Sequence, residues 1–98
     1  MTMFNPAHPG EIIRDETLPQ FGLSVTSAAR ALNHDRASLH KILNGQAPIT
    51  TAMALKIEKA FGVSASLLLN AQANYDLAEA RKRADDITAG VERQTLAA

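Results

Sequence analysis

At 98 residues the chain can build one domain around a modest core, which leaves little room for a large enclosed active site. It contains no cysteine, so disulfides, thiolate zinc sites and cysteine nucleophiles are excluded, in keeping with a reducing compartment. Lys plus Arg (10) balance Asp plus Glu (10), so a polyanionic partner can be signalled only locally.

No charged-then-apolar leader opens the sequence, and no apolar run approaches the ~18 residues of a spanning helix, so a soluble, cytoplasmic protein without membrane contact is expected. The hydrophobic pattern is helical almost throughout and predicts an all-α fold. A first helix should start after His8, with Pro9 in its first position and Glu11 in its first turn, and end near Leu18, because Pro19 restricts the residue before it. Ile12 and Ile13 mark its inner side. Thr26 can cap a short second helix carrying Ala28, Ala29 and Leu32, after which Asn33 tolerates the left-handed backbone of a tight turn.

Asp35 can cap a third helix, in which Leu39, Ile42 and Leu43 fall on one side and Ala37, His40, Lys41 and Asn44 on the other. Pro48 and Thr50 open a fourth, lined by Met53, Ile57, Ala60 and Phe61 and closed by Gly62. Ser64 caps a fifth segment whose helical pattern runs on until Gly90, and the last eight residues, 91–98, are expected to fray. The whole reads as one domain over residues 1–90.

A short helix ending at Leu32, a three-residue turn and a helix beginning at Arg36 make a helix-turn-helix over about residues 25–45, the second helix being the one that enters a major groove. Ala29 supplies the small side chain that such a crossing needs, and Leu39 and Ile42 can pack on Ala28 and Leu32. The face left over is rich in donors. Lys41 and Arg36 suit guanine edges or phosphates, Ser38 and Asn44 either kind of acceptor, and Ala37 a thymine methyl. Between Ser24 and Gln46 the basic residues Arg30, Arg36 and Lys41 face one acid, Asp35, so the segment is locally positive. Asp35 is read as the helix cap, a role that stabilises by ~1 kcal/mol.

A second pattern lies near the C-terminus. Ala73, Leu77, Ala80, Ala84, Ile87 and Val91 follow a 4-3-4-3-4 spacing, a seam for packing along another helix, and place a dimerisation region at about residues 64–90. The first part of this stripe could equally cover the domain's own core. A two-fold dimer would set two recognition helices one turn of DNA, ~34 Å, apart on a palindrome. Catalytic and metal readings find no footing: His8, His34 and His40 lack the spacing that puts two imidazoles on one helical face, and no nucleophile, phosphate-loop or dinucleotide motif appears. No catalytic residue, metal or cofactor is assigned.

The segments NPAHPGEIIRDE, LSVTSAARALNHDRASLHKILNG and ITTAMALKIEKAFGVSASLLLNAQANYDL together resemble the HigA-type antitoxins, a branch of the phage-repressor-like (XRE) helix-turn-helix proteins, over roughly residues 5–80. The HPGE start and the stretch ending in QANYDL are the more specific parts. The resemblance implies a five-helix phage-repressor-like domain with a C-terminal helical extension, dimeric, which represses its own operon and neutralises a HigB-like ribonuclease toxin. It implies Thr26, Arg36, Ala37, Ser38, His40, Lys41 and Gln46 as DNA-facing residues. Asn33-His34 stands where the family usually has Gly-Val, and Leu67-Leu68 where an aromatic pair is common.

A ribonuclease toxin must attract RNA, so a basic toxin could dock on the acidic side of the first helix at Glu11, Asp15 and Glu16, a face separate from the DNA face. An ordinary solvated helix surface is the alternative reading of those acids. Two other functions fit the same residues. One is a stand-alone phage-type repressor, and the other a toxin-binding module whose helix-turn-helix is vestigial.

Overall fold

The computed structural model describes residues 5–97; residues 1–4 and 98, assigned above to the domain and its tail, lie outside the described residues. Among the described residues the fold is all-helical, in six helices. Helix α1 runs through three consecutive stretches, Pro9–Ile12, Ile13–Thr17 and Leu18–Gln20. It is followed by α2 (Val25–Ala31), α3 (Arg36–Leu43), α4 (Thr51–Phe61), α5 (Ala65–Arg81) and a single turn, α6 (Ala84–Ile87).

The N-terminus of α1 is built by its HPGE sequence. His8 is the N-cap, its Nδ1 accepting the Gly10 N–H at 2.9 Å, and Pro9 takes the first helical position, where no N–H is needed. The helix does not stop near Leu18 as expected. In the middle stretch the ladder widens into a π turn, with the Leu18 N–H donating to the Ile13 carbonyl, which opens the backbone just where Pro19 lacks a donor. The helix therefore continues through Pro19 to Gln20. Ile13 lies in the core, whereas Ile12 is 38% exposed and is not an inner residue.

Thr50 and Ser64 cap α4 and α5 as expected, each accepting from the third N–H of its helix, and Gly62 ends α4 at φ 75°. The core gathers Ile13 of α1, Ala28 and Ala29 of α2, Leu39 and Leu43 of α3, Met53 and Ile57 of α4, and Leu68 of α5. Of these, Ala28 and Ala29 are the small residues that let α2 and α3 approach closely. The helical pattern of α5 does not run to Gly90. It breaks at Lys82 and Arg83, and α6 restarts at Ala84. From Arg81 onward every described residue is exposed, so no buried face supports a longer helix. The result is an arm: the Cα radius of gyration is 16.9 Å, against ~13 Å for a compact domain of about this length.

Candidate nucleic-acid interface

The two helices that bear the site are held by local bonds. Ser24, not Thr26, is the N-cap of α2: its hydroxyl accepts the Ser27 N–H while Ser27 returns a bond to the Ser24 N–H. At the other end Asn33 takes φ 49°, with the Asn33 N–H on the Arg30 carbonyl at 3.1 Å and the His34 N–H on the Ala29 carbonyl at 2.9 Å. Those two bonds make a Schellman closure, so Asn33 does the work that glycine does elsewhere. Asp35 then caps α3, accepting the Ser38 N–H at 2.8 Å, and this bond holds its carboxyl below the ordinary carboxylate range. A second Schellman closure ends α3, built on Gly45 at φ 74° and on the Gln46 N–H, which donates to the Lys41 carbonyl at 2.8 Å.

On this frame Arg36, Ala37, Ser38, His40 and Lys41 are exposed, as are Thr26 on α2 and Gln46 beyond α3. Freed from capping, Thr26 has another task. Its Oγ1 accepts from Arg36 Nε at 2.8 Å, tying α2 to the first residue of α3 and leaving the terminal nitrogens of Arg36 available as donors. Asn44 departs from the expectation of a free base- or phosphate-reading group. It is half-buried, its Oδ1 accepts from Arg14 Nη1 at 3.1 Å, and its Nδ2 lies 2.9 Å from His40 Nε2. Its amide is thus spent within the protein.

Arg14 and Lys56 were missed by sequence reasoning. Arg14 also reaches the Leu43 carbonyl at 3.4 Å, so a cation of α1 sits at the C-terminal end of α3, where the helix dipole favours it. Lys56 of α4 donates to the Asn33 carbonyl at 3.3 Å and lines, with Ser38, Lys41, Pro48 and Thr50, an open groove of about 370 Å³ beside α3. Lys41 and Lys56 on its two walls give the groove the sign that a phosphate chain requires. Nothing local marks the tie of either residue to the helix-turn-helix, because Leu43, Asn44 and Asn33 are brought to them by the tertiary fold.

The acids of α1 do not form a uniform patch. Asp15 holds Arg14 in a two-pronged ion pair, at 2.7 Å to Nε and 2.9 Å to Nη2, which keeps the Asp15 carboxyl below its ordinary range. Glu11 is half-buried beside Gly45, and only Glu16 is exposed without such a tie to α3. In the stripe expected to pack along another helix, Ala73, Leu77, Ala84 and Ile87 are exposed and Ala80 half-buried, so the core-covering alternative does not apply to Leu77, which is 52% exposed. The stripe is not one straight seam, because the break at Lys82 and Arg83 separates Ala84 and Ile87 from the rest.

A capped short helix, a tight turn and a second helix with an exposed donor face define a helix-turn-helix DNA-binding domain. The model of the helix-turn-helix family HTH_3 matches residues 13–68, and the chain belongs to that family. It is 41% identical over 85 residues to virulence-associated protein A' of Dichelobacter nodosus, covering 86% of this chain and 73% of that protein. Among solved structures, antitoxin GraA superposes with a TM-score of 0.83 at 32% identity, over 92% of this chain and 98% of GraA. Pseudomonas aeruginosa antitoxin HigA, solved with the higBA promoter, superposes with a TM-score of 0.79 at 35% identity, over 95% and 100%. Among the described residues no helix is long and apolar enough to cross a membrane, and no three His, Asp or Glu side chains gather as a metal would require.

Proposed function

We propose that this chain is the antitoxin and autorepressor of a toxin–antitoxin module, which binds a palindromic operator as a homodimer and neutralises a HigB-like ribonuclease toxin. The observation that carries the DNA half is the outer face of α3, where Arg36, Ala37, Ser38 and Lys41 stand exposed on a helix capped at both ends. Similarity to GraA and to a HigA bound to its promoter supports the antitoxin half. In this reading Lys41 reads a base edge, Arg36 a base or phosphate within reach of Thr26, and Ser38, Gln46 and Lys56 the backbone. The stripe of α5 formed by exposed Ala73 and Leu77 and half-buried Ala80 packs against its two-fold mate.

The test is a titration of the DNA upstream of its own gene at near-physiological salt. Lys41→Ala should lower affinity by ~1–3 kcal/mol if Lys41 reads a base, and a phosphate contact should instead weaken all sequences alike and reduce the salt slope by about one. Unchanged affinity would remove α3 from the groove. The toxin half is tested on a small basic protein encoded beside the gene; without such a neighbour, the stand-alone repressor is the better reading. Glu16→Lys is the variant for toxin docking, since a change at Asp15 would disturb Arg14 and, through it, Asn44 of α3.

A further inference from the structure

Four side chains form one hydrogen-bonded line from α1 to the DNA-facing side of α3. Asp15 grips Arg14 through Nε and Nη2, Arg14 Nη1 meets Asn44 Oδ1 at 3.1 Å, and Asn44 Nδ2 meets His40 Nε2 at 2.9 Å. The chemistry of this line admits one assignment of protons. A guanidinium can only donate, so the Asn44 atom facing Arg14 is its oxygen and the atom facing His40 is its NH2. That NH2 can only donate in turn, so His40 Nε2 must accept and the ring proton of the neutral imidazole sits on Nδ1.

We propose that Arg14 and Asn44 are positioning residues that hold His40 as an Nδ1–H donor, so that this exposed imidazole selects a hydrogen-bond acceptor on the DNA. The inference rests on the DNA-binding reading above for its ligand, but not for its tautomer. Two acceptors suit a single N–H on this flank of α3: a purine N7 in the major groove, and a phosphate oxygen. An exocyclic amino group, which only donates, is rejected. Arg36 stands one helical turn before His40, and the Thr26 bond keeps that flank ordered.

The tautomer is tested on the full chain without DNA, by nitrogen-15 NMR of the imidazoles at mildly alkaline pH. Wild type should show His40 with a protonated Nδ1 and a bare Nε2. Asn44→Asp is the decisive variant. Its carboxylate still pairs with Arg14, so the end of α3 stays tethered, but it offers His40 an acceptor and should move the proton to Nε2. A wild-type His40 protonated on Nε2, or an Asn44→Asp spectrum identical to wild type, overturns the proposal.

The acceptor is tested with the upstream duplex, comparing wild type with His40→Leu. One 7-deazapurine should cost wild type about fivefold in affinity, the scale of one neutral hydrogen bond, and cost His40→Leu nothing. If a methylphosphonate substitution has that effect instead, the acceptor is a phosphate. If wild type and His40→Leu respond alike to every substitution, His40 selects nothing and the proposal falls. Failure of both proteins to bind any duplex would refute the DNA reading itself, and the NMR result would still decide the tautomer.

Discussion

Gln72 offers the sharpest test of what holds the recognition helix in place. It is only 6% exposed, yet it carries two bonds: its Oε1 accepts the N–H of buried Ile49 at 2.8 Å and its Nε2 donates to Asp76 at 2.9 Å. Gln72→Leu nearly conserves volume and leaves the Ile49 N–H buried without a partner, which costs about 1–3 kcal/mol. Asp76 is exposed and turns to water at little cost. A loss near 2 kcal/mol corresponds to a Tm lower by roughly 8–16 °C in a domain of this size. Thermal unfolding by circular dichroism reads the loss, and hydrogen exchange at the Ile49 amide reads its cause. Gln72→Glu is the control, since it keeps an acceptor for Ile49 but sets two carboxylates side by side, so its stability should recover on mild acidification. A Gln72→Leu protein within about 0.5 kcal/mol of wild type, with the Ile49 amide still protected, would refute the reasoning.

Gly10→Ala should destabilise by about 1–3 kcal/mol or more, because a Cβ there would land on the Ile42 carbonyl oxygen and push α1 off α3; urea unfolding checks it, and a neutral substitution would mean that the two helices are not so close. Stability should also depend on pH through His8. Burial lowers its pKa from the ordinary 6.5, with Glu11 and Asp76 opposing, so the unfolded chain takes up the proton first. Its contribution is complete above pH 6.5, declines as pH falls toward the lower folded value and then levels off, and in His8→Asn, which can still cap α1, that slope should vanish from urea midpoints. If the chain pairs through α5 as proposed, wild type should sediment as a dimer and Leu77→Glu as a monomer while circular dichroism stays helical, since Leu77 is half-exposed in the protomer; a variant that remains dimeric would move the interface elsewhere.

What the sequence made legible was what neighbours decide. The caps at Asp35, Thr50 and Ser64, the left-handed Asn33 and the end at Gly62 rest on bonds spanning a few residues, and each follows from residue type and spacing. The same logic misplaced the cap of α2, because Ser24 and Thr26 are both hydroxyl residues and the reciprocal partner at Ser27 is not the Glu or Gln that marks a capping box. Pro19 misled for a different reason: its usual penalty presumes a regular ladder, and the π turn before it removes that premise. The end of α5 was invisible since its pattern stays helical past Arg81, whereas its burial does not. The bonds from Arg14 to Asn44 and from Gln72 to Ile49 join distant parts of the chain, so periodicity carries no trace of them.

Those distant bonds share one destination. Gly10 closes on the carbonyl of Ile42, Arg14 holds the Leu43 carbonyl and Asn44, Glu11 adjoins Gly45, and Gln72 pins Ile49, while His8 sits between Gly10 and the edge of Tyr75 at a ring distance of 4.8 Å. All of them grip the C-terminal end of α3 or the loop that follows, and none uses Ala37, Ser38 or Lys41. The HPGE and QANYDL segments are therefore a clamp made by α1 and α5 on the back of the recognition helix, with its outer face left free. Substitutions should divide accordingly, those at Gly10, His8 and Gln72 lowering stability first and those at Lys41 lowering DNA affinity with stability intact. His40 lies where the two sets meet, exposed on the face proposed to read DNA but bonded through Asn44 to the clamp. A variant that altered Arg14 could then change base preference without touching any residue on the DNA.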